Sequence, residues 1–86
     1  YNYPNPFNPV TTMLYDLTET GHTRLIIYDL LGREVHVLLD KVMDPGYYST
    51  QWNGRNQQGQ TVGAGVYFYQ IQSNGFIQTR KMLLLK

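Results

Sequence analysis

Apolar and polar residues alternate along this chain in short runs, with a period of two, and the runs are separated by Gly-, Asn- and Asp-containing breaks. Thr11 to Leu17 is the first such run and places Met13, Tyr15 and Leu17 on one face. After a turn at Thr18-Glu19-Thr20-Gly21, His22 to Tyr28 directs Thr23, Leu25 and Ile27 inward. A tight turn follows at Asp29-Leu30-Leu31-Gly32, with Gly32 suited to the left-handed position. Glu34 to Leu39 is then the hairpin partner. Asp44-Pro45-Gly46 turns the chain into Tyr47 to Trp52, where Tyr48, Thr50 and Trp52 share a face. Asn53 to Gln60 has no apolar residue and reads as a solvated loop, with a short edge segment at Thr61-Val62 behind it. Val66 to Ser73 is apolar on both faces, with Val66 and Phe68 on one and Tyr67, Tyr69 and Ile71 on the other, as in a central strand covered on both sides. Ser73-Asn74-Gly75 closes a hairpin into a last strand, Phe76 to Leu85. No sustained helical period and no internal repeat is present. The pattern predicts an all-β sandwich of about seven antiparallel strands, with Leu25, Ile27, Val35, Trp52, Tyr67, Tyr69 and Met82 in its core.

The two ends differ from the body. Tyr3-Pro4-Asn5-Pro6-Phe7-Asn8-Pro9 is punctuated by prolines, which fix φ and remove backbone donors. Residues 1–10 therefore read as an extended linker clipped to an edge, and residues 11–86 as the sandwich domain. Lys81-Met82-Leu83-Leu84-Leu85-Lys86 is an apolar run between basic residues and reads as a closing strand. The chain starts with Tyr and carries no signal peptide, as expected of a piece of a longer precursor.

Composition narrows the function classes. Eighty-six residues make one domain, too small for a deep catalytic cleft backed by a second layer. The hydrophobic share is 42% against 15% charged, enough to bury a core. Net charge is +1 and the seven basic residues are scattered, which argues against nucleic-acid and anionic-membrane binding, since both use clustered basic charge. There is no cysteine, hence no disulfide or thiolate site. No apolar stretch approaches the roughly 18–20 residues needed to span a bilayer.

Candidate chemistry is sparse. The carboxylates Asp16, Glu19, Asp29, Glu34, Asp40 and Asp44 fall mainly at strand ends and turns, and their spacing gives no glycosidase pair. His22 and His36 lie on different strands without a nucleophile motif beside them. Asn53, Asn56 and Gln58 offer oxygens to a calcium ion, but no carboxylate follows Asp44, so an Asx turn is the better reading. The aromatic residues could form a sugar platform, with Tyr1, Tyr3, Tyr47 and the outward member of each of the Tyr47-Tyr48 and Tyr67-Phe68-Tyr69 sets as candidates, although strands favour Tyr for packing alone. Trp52, the single tryptophan, reads as the core plug. No catalytic residue, metal or cofactor is implied.

Taken together, certain segments resemble a known family. Tyr3-Pro4-Asn5-Pro6-Phe7-Asn8-Pro9, Ile27-Tyr28-Asp29-Leu30-Leu31-Gly32-Arg33-Glu34-Val35, Trp52-Asn53-Gly54-Arg55-Asn56 with Gly59, Gly65-Val66-Tyr67-Phe68-Tyr69, and Lys81-Met82 with the apolar end occur in an order that resembles the C-terminal sorting domain of type IX secretion substrates (type A, Por-system class). The chain is also similar to the immunoglobulin-like domain of flagellar hook-capping proteins. The resemblance implies an Ig-like sandwich at the C-terminus of a secreted enzyme or adhesin of a Bacteroidetes-like bacterium. It implies passage through the periplasm, recognition by an outer-membrane translocon and its shuttle protein, and release by a sortase-like peptidase at the cell surface. The family's recognition elements fall on Gly65, Val66 and Tyr67 and on Lys81, Met82, Leu83, Leu84, Leu85 and Lys86. Where the family often has Asp in the loop after Trp, this chain has Asn53 and Asn56, which argues further against an acidic or metal role there.

A folded sorting signal needs a strand edge that a partner can read, and Phe76 to Lys86 is the natural one. The bland reading is that this strand only completes the core. Two other functions stay open on the sequence: a carbohydrate-binding or adhesive module, and a structural Ig-like spacer.

Overall fold

The computed structural model describes residues 10–85. The linker expected over residues 1–10 lies outside this range apart from the exposed Val10, as does Lys86. Among the described residues six strands form: β1 (Thr11–Leu17), β2 (Gly21–Tyr28), β3 (Glu34–Met43), β4 (Gly46–Trp52), β5 (Gly65–Ser73) and β6 (Phe76–Leu84). They make two antiparallel sheets, β1-β4 and β3-β2-β5-β6. The short strand expected at Thr61-Val62 is reduced to one bridge, Thr61 with Arg55, and a hydrogen bond from the Val62 amide to the Gly54 carbonyl. With Gly63 following at once, there is no length over which a ladder could form.

Alternation places the core between the sheets. Met13, Tyr15 and Leu17 from the small sheet meet Leu25, Ile27, Tyr67, Tyr69, Ile71, Met82 and Leu84 from the large one, with Trp52 fully buried. The Trp52 ring stands edge-on to Tyr67 with centroids 5.1 Å apart, a favoured aromatic geometry. Tyr69 ties the layers together by donating its hydroxyl to the Leu14 carbonyl, 3.4 Å. Val35, expected in the core, is only half-buried against it.

Two features depart from simple alternation. β3 shifts register twice against β2, where Leu39 and Val37 face Leu25 and Ile26, and where His36 and Glu34 face Ile27 and Tyr28. Leu38 and Val35 are thereby left without strand partners, and both pack on the core. The free side of β3 is also engaged, because Gln57 donates its amide to the Val35 carbonyl (3.0 Å) and accepts from the Val37 amide through its side chain (2.8 Å). On the outer face of the large sheet Ile26 is fully buried, yet Val66 and Phe68 of β5 remain half-exposed. β5 is central within its sheet, but no second layer among the described residues covers its outer side.

Candidate functional site: the β5–β6 end of the large sheet

The two halves of the expected recognition set are cross-strand neighbours. Gly65 pairs with Leu84, Val66 with Leu83, Tyr67 with Met82 and Phe68 with Lys81. Gly65 opens β5 at φ 143. β6 is an edge strand, with no partner on its far side among the described residues, and it holds register with β5 over its full nine residues.

Alternation then divides the set by role. Tyr67, Met82 and Leu84 face inward and are buried, so in the folded domain their side chains are withheld from a partner. Burial, with the charge of Asp29 second, raises the pKa of the Tyr67 phenol, whose hydroxyl donates to the Gly63 carbonyl at 2.6 Å. Leu84 is held from above by the loop after Trp52. Gly54 sits there at φ 75, and a β-carbon added to it would lie 3.3 Å from a Leu84 methyl. The Trp-Asn-Gly segment is thus a lid on the end of β6. Lys81, Leu83 and Leu85 are exposed, Leu85 lying just beyond the strand, and Val66 is half-buried. Of the expected recognition residues, Tyr67, Met82 and Leu84 thus lie with their side chains in the core, and Met82 and Leu84 offer only their main chain along the β6 edge. Lys86 lies outside the described residues.

The sequence did not reveal what stands at the same end of the sheet, beside the start of β5. Asp29 builds a rigid turn, accepting the amides of Leu31 (2.9 Å) and Arg33 (3.0 Å) at Oδ1 and the Arg33 guanidinium (2.8 Å) at Oδ2. The Arg33 amide hydrogen bond is the main reason its pKa is lowered, against some desolvation, with the Arg33 side chain and the Leu31 amide adding to it. Leu30 and Leu31, 66% and 77% exposed, are held out to solvent by this turn. The turn and Ala64 to Tyr67 line a shallow hollow of about 240 Å³. Leu30, Leu31, Val66 and Leu83 thus present apolar surface at one end of the sheet. Two exposed leucines in a turn otherwise made of Asp and Gly were the available signal.

The remaining candidates separate. Asp40 contacts His22 and lies 3.6 Å from the Arg24 guanidinium, while His36 donates from Nδ1 to the Arg55 carbonyl, 2.9 Å. Trp52 donates to the same carbonyl, 2.9 Å, which pins the loop to the core. Asn56 uses its side-chain oxygen to accept the amides of Gln58 (3.0 Å) and Gln60 (2.9 Å), the Asx turn expected of that loop. Among the described residues no three His, Asp or Glu side chains gather into a metal-holding group. Tyr48 stacks on Tyr15 at 5.7 Å, leaving Tyr47, 92% exposed, as the one tyrosine of the described residues that is open to solvent. No helix in the described residues is long and apolar enough to cross a membrane.

Searches of curated proteins and of solved structures give no match. The model of the FlgD Ig-like domain family matches residues 9–75, from just before β1 to the turn that precedes β6. That match covers most of the chain and every strand but β6, and it agrees with the two-sheet sandwich described above, so the chain belongs to the FlgD Ig-like domain family.

Proposed function

We propose that this Ig-like domain is a non-catalytic sorting module, recognised in its folded state by an outer-membrane translocon and its shuttle protein and carrying an attached passenger to the cell surface. The observation that carries this reading is the exposed β6 edge. It is regular, it lies at the end of the sheet where Gly65 to Tyr67 and Lys81 to Leu84 meet, and it is flanked by the apolar surface of Leu30, Leu31, Val66 and Leu83. Strand addition supplies main-chain hydrogen bonds for affinity, while the outward side chains supply selectivity. A carbohydrate-binding or adhesive module and a structural spacer are the competing roles. Glycan binding would rest on Tyr47 alone among the described tyrosines, and one ring makes a poor platform.

The test fuses the domain, behind a signal peptide, to a neutral reporter in a host with a type IX system. Deleting Lys81 to Lys86 is a blunt version, because it also takes Met82 and Leu84 from the core. The sharper variant is Lys81→Glu with Leu83→Ser, both at exposed positions, checked for an unchanged melting temperature. The expected outcome is a folded domain and a reporter held in the periplasm. Full surface display of that folded double variant would reject the edge as the recognition element.

A further inference from the structure

We propose that the strand taken up by the β6 edge is an antiparallel peptide with two consecutive acidic residues at its centre and an apolar residue on either side of them. This inference rests on the reading of β6 as the recognised edge and names the chemistry of its partner. Cross-strand pairing settles where the β6 side chains go, because paired residues share a face. Arg80 pairs with the buried Tyr69 and so stands on the inner face of the large sheet, while Lys81, paired with Phe68, stands on the outer one. Both are exposed, Arg80 because the two-stranded small sheet leaves this part of the four-stranded one uncovered. The two cations thus flank the middle of the edge from both faces, and no ion pair among the described residues reaches either. Every side-chain carboxylate lies between Asp16 and Asp44, so β5 and β6 carry none.

Apolar positions bracket this basic centre. Phe76, Ile77 and Leu83 are 50%, 61% and 53% exposed, and Leu85, just past the strand, 67%. Ile77 and Leu83 share the outer face with Lys81, beside Gln72 and Val66. Charge on an edge strand often serves only to deter pairing, but exposed apolar side chains on both sides of the charges undo protection of that kind. An anionic membrane would meet the cations and the apolar groups, yet leave the row of N–H and C=O groups along β6 unsatisfied. An added strand satisfies all three. Neighbours in this sheet all run antiparallel, the more stable pairing. In that orientation one acid falls opposite Lys81, the next opposite Arg80, and apolar residues fall opposite Leu83 and Ile77. A second copy of β6 fits poorly, since pairing centred on Arg80 sets that cation against its own copy.

The test titrates the isotope-labelled 86-residue chain with a capped peptide, Thr-Val-Thr-Glu-Glu-Thr-Thr-Val-Thr, and follows backbone amide shifts and hydrogen exchange. Saturable binding with new protection at alternate β6 amides is expected, since only every second residue turns its N–H away from β5. Replacing both glutamates of the peptide by glutamine should weaken binding by about fivefold at low salt, and raised salt should narrow the difference. Arg80→Gln/Lys81→Gln changes two exposed positions, so its melting temperature should hold, and it should bind the two peptides alike. Equal affinity of the unaltered chain for both peptides, with β6 protected in each, would overturn the acidic partner and leave the edge reading intact. Absence of saturable protection by either peptide would also overturn the proposal, while surface display of the Lys81→Glu with Leu83→Ser reporter decides the edge reading separately. Displacement of the peptide by phosphatidylglycerol vesicles, or dimerisation through β6 in place of peptide binding, would overturn the choice of occupant.

Discussion

The side chain of Asn74 occupies the space that a β-carbon on Gly21 would need. Asn74 sits at φ 52 in the β5–β6 turn, followed by Gly75 at φ 77, the left-handed pair that suits a two-residue hairpin. From there its amide reaches the β1–β2 turn and donates to the Thr20 carbonyl, 3.1 Å. Two turns distant in sequence are thereby locked together, and the glycine follows from the asparagine.

Gly21→Ala should therefore destabilise the domain by about 1–3 kcal/mol, as overpacking does. The same change made in an Asn74→Gly background should cost less, because the obstructing amide is gone and glycine tolerates the turn. Urea denaturation of the four proteins gives the coupling. Strict additivity would show that the two residues do not compete for space.

Trp52→Ala should cost about 3–5 kcal/mol, in the range for large core truncations. The native tryptophan emission should be blue-shifted, as the ring is fully buried. Trp52→Phe separates the ring from its N–H, since the Arg55 carbonyl would still accept from His36. A red-shifted, easily quenched emission would contradict this placement.

Neighbouring leucines on β6 should respond oppositely. Leu84 is 1% exposed and Leu83 53%. Leu84→Ala should cost about 2–5 kcal/mol and Leu83→Ala no more than about 0.5. Similar losses at both positions would mean that a further layer covers the outer face.

Asp29 should titrate below the ordinary carboxylate value of 3.8. A lowered folded-state pKa stabilises the protein above the unfolded value, and that contribution disappears as pH falls through the folded one. The β2–β3 turn should accordingly hold through mildly acidic pH and loosen below 3.8, seen in the amide shifts of Leu31 and Arg33. Asp29→Asn should remove this acid-range transition. Titration of the carboxyl above 3.8 would contradict the hydrogen bonding at the turn.

Added Ca²⁺ should leave the melting temperature unchanged, because the Asn56 side-chain oxygen already accepts two backbone amides. A rise of several degrees, reversed by a chelator, would show that the loop rearranges to hold the ion.

The sequence was most legible where strands alternate without interruption. Met13, Tyr15 and Leu17 in β1, Thr23, Leu25 and Ile27 in β2, and Tyr67, Tyr69 and Ile71 in β5 all face as their spacing requires. It was least legible in β3, where each bulge inserts a residue and resets the face, so Leu38 turns to the core against simple parity. Burial of Ile26 on the outer face arises from the strands beside it, which no local pattern reveals. Gly65 to Tyr67 and Lys81 to Leu85 were legible as segments, but their division into buried and exposed members needed the register with β5. Thr20 and Asn74, bonded across two turns from opposite halves of the chain, show the same limit, because nothing within either turn announces the other.

The unequal edges of the large sheet set how many neighbours it can take. Bulges and the clasp of Gln57 interrupt the β3 edge over Glu34 to Leu38, whereas β6 is regular over nine residues and has no partner on its far side among the described residues. A long strand therefore joins this sheet more readily at β6 than at β3. Copies meeting antiparallel through β6 would form a twofold pair whose two outer edges are the interrupted β3 strands. In assembly terms the sheet is better suited to ending a ladder of strands than to propagating one.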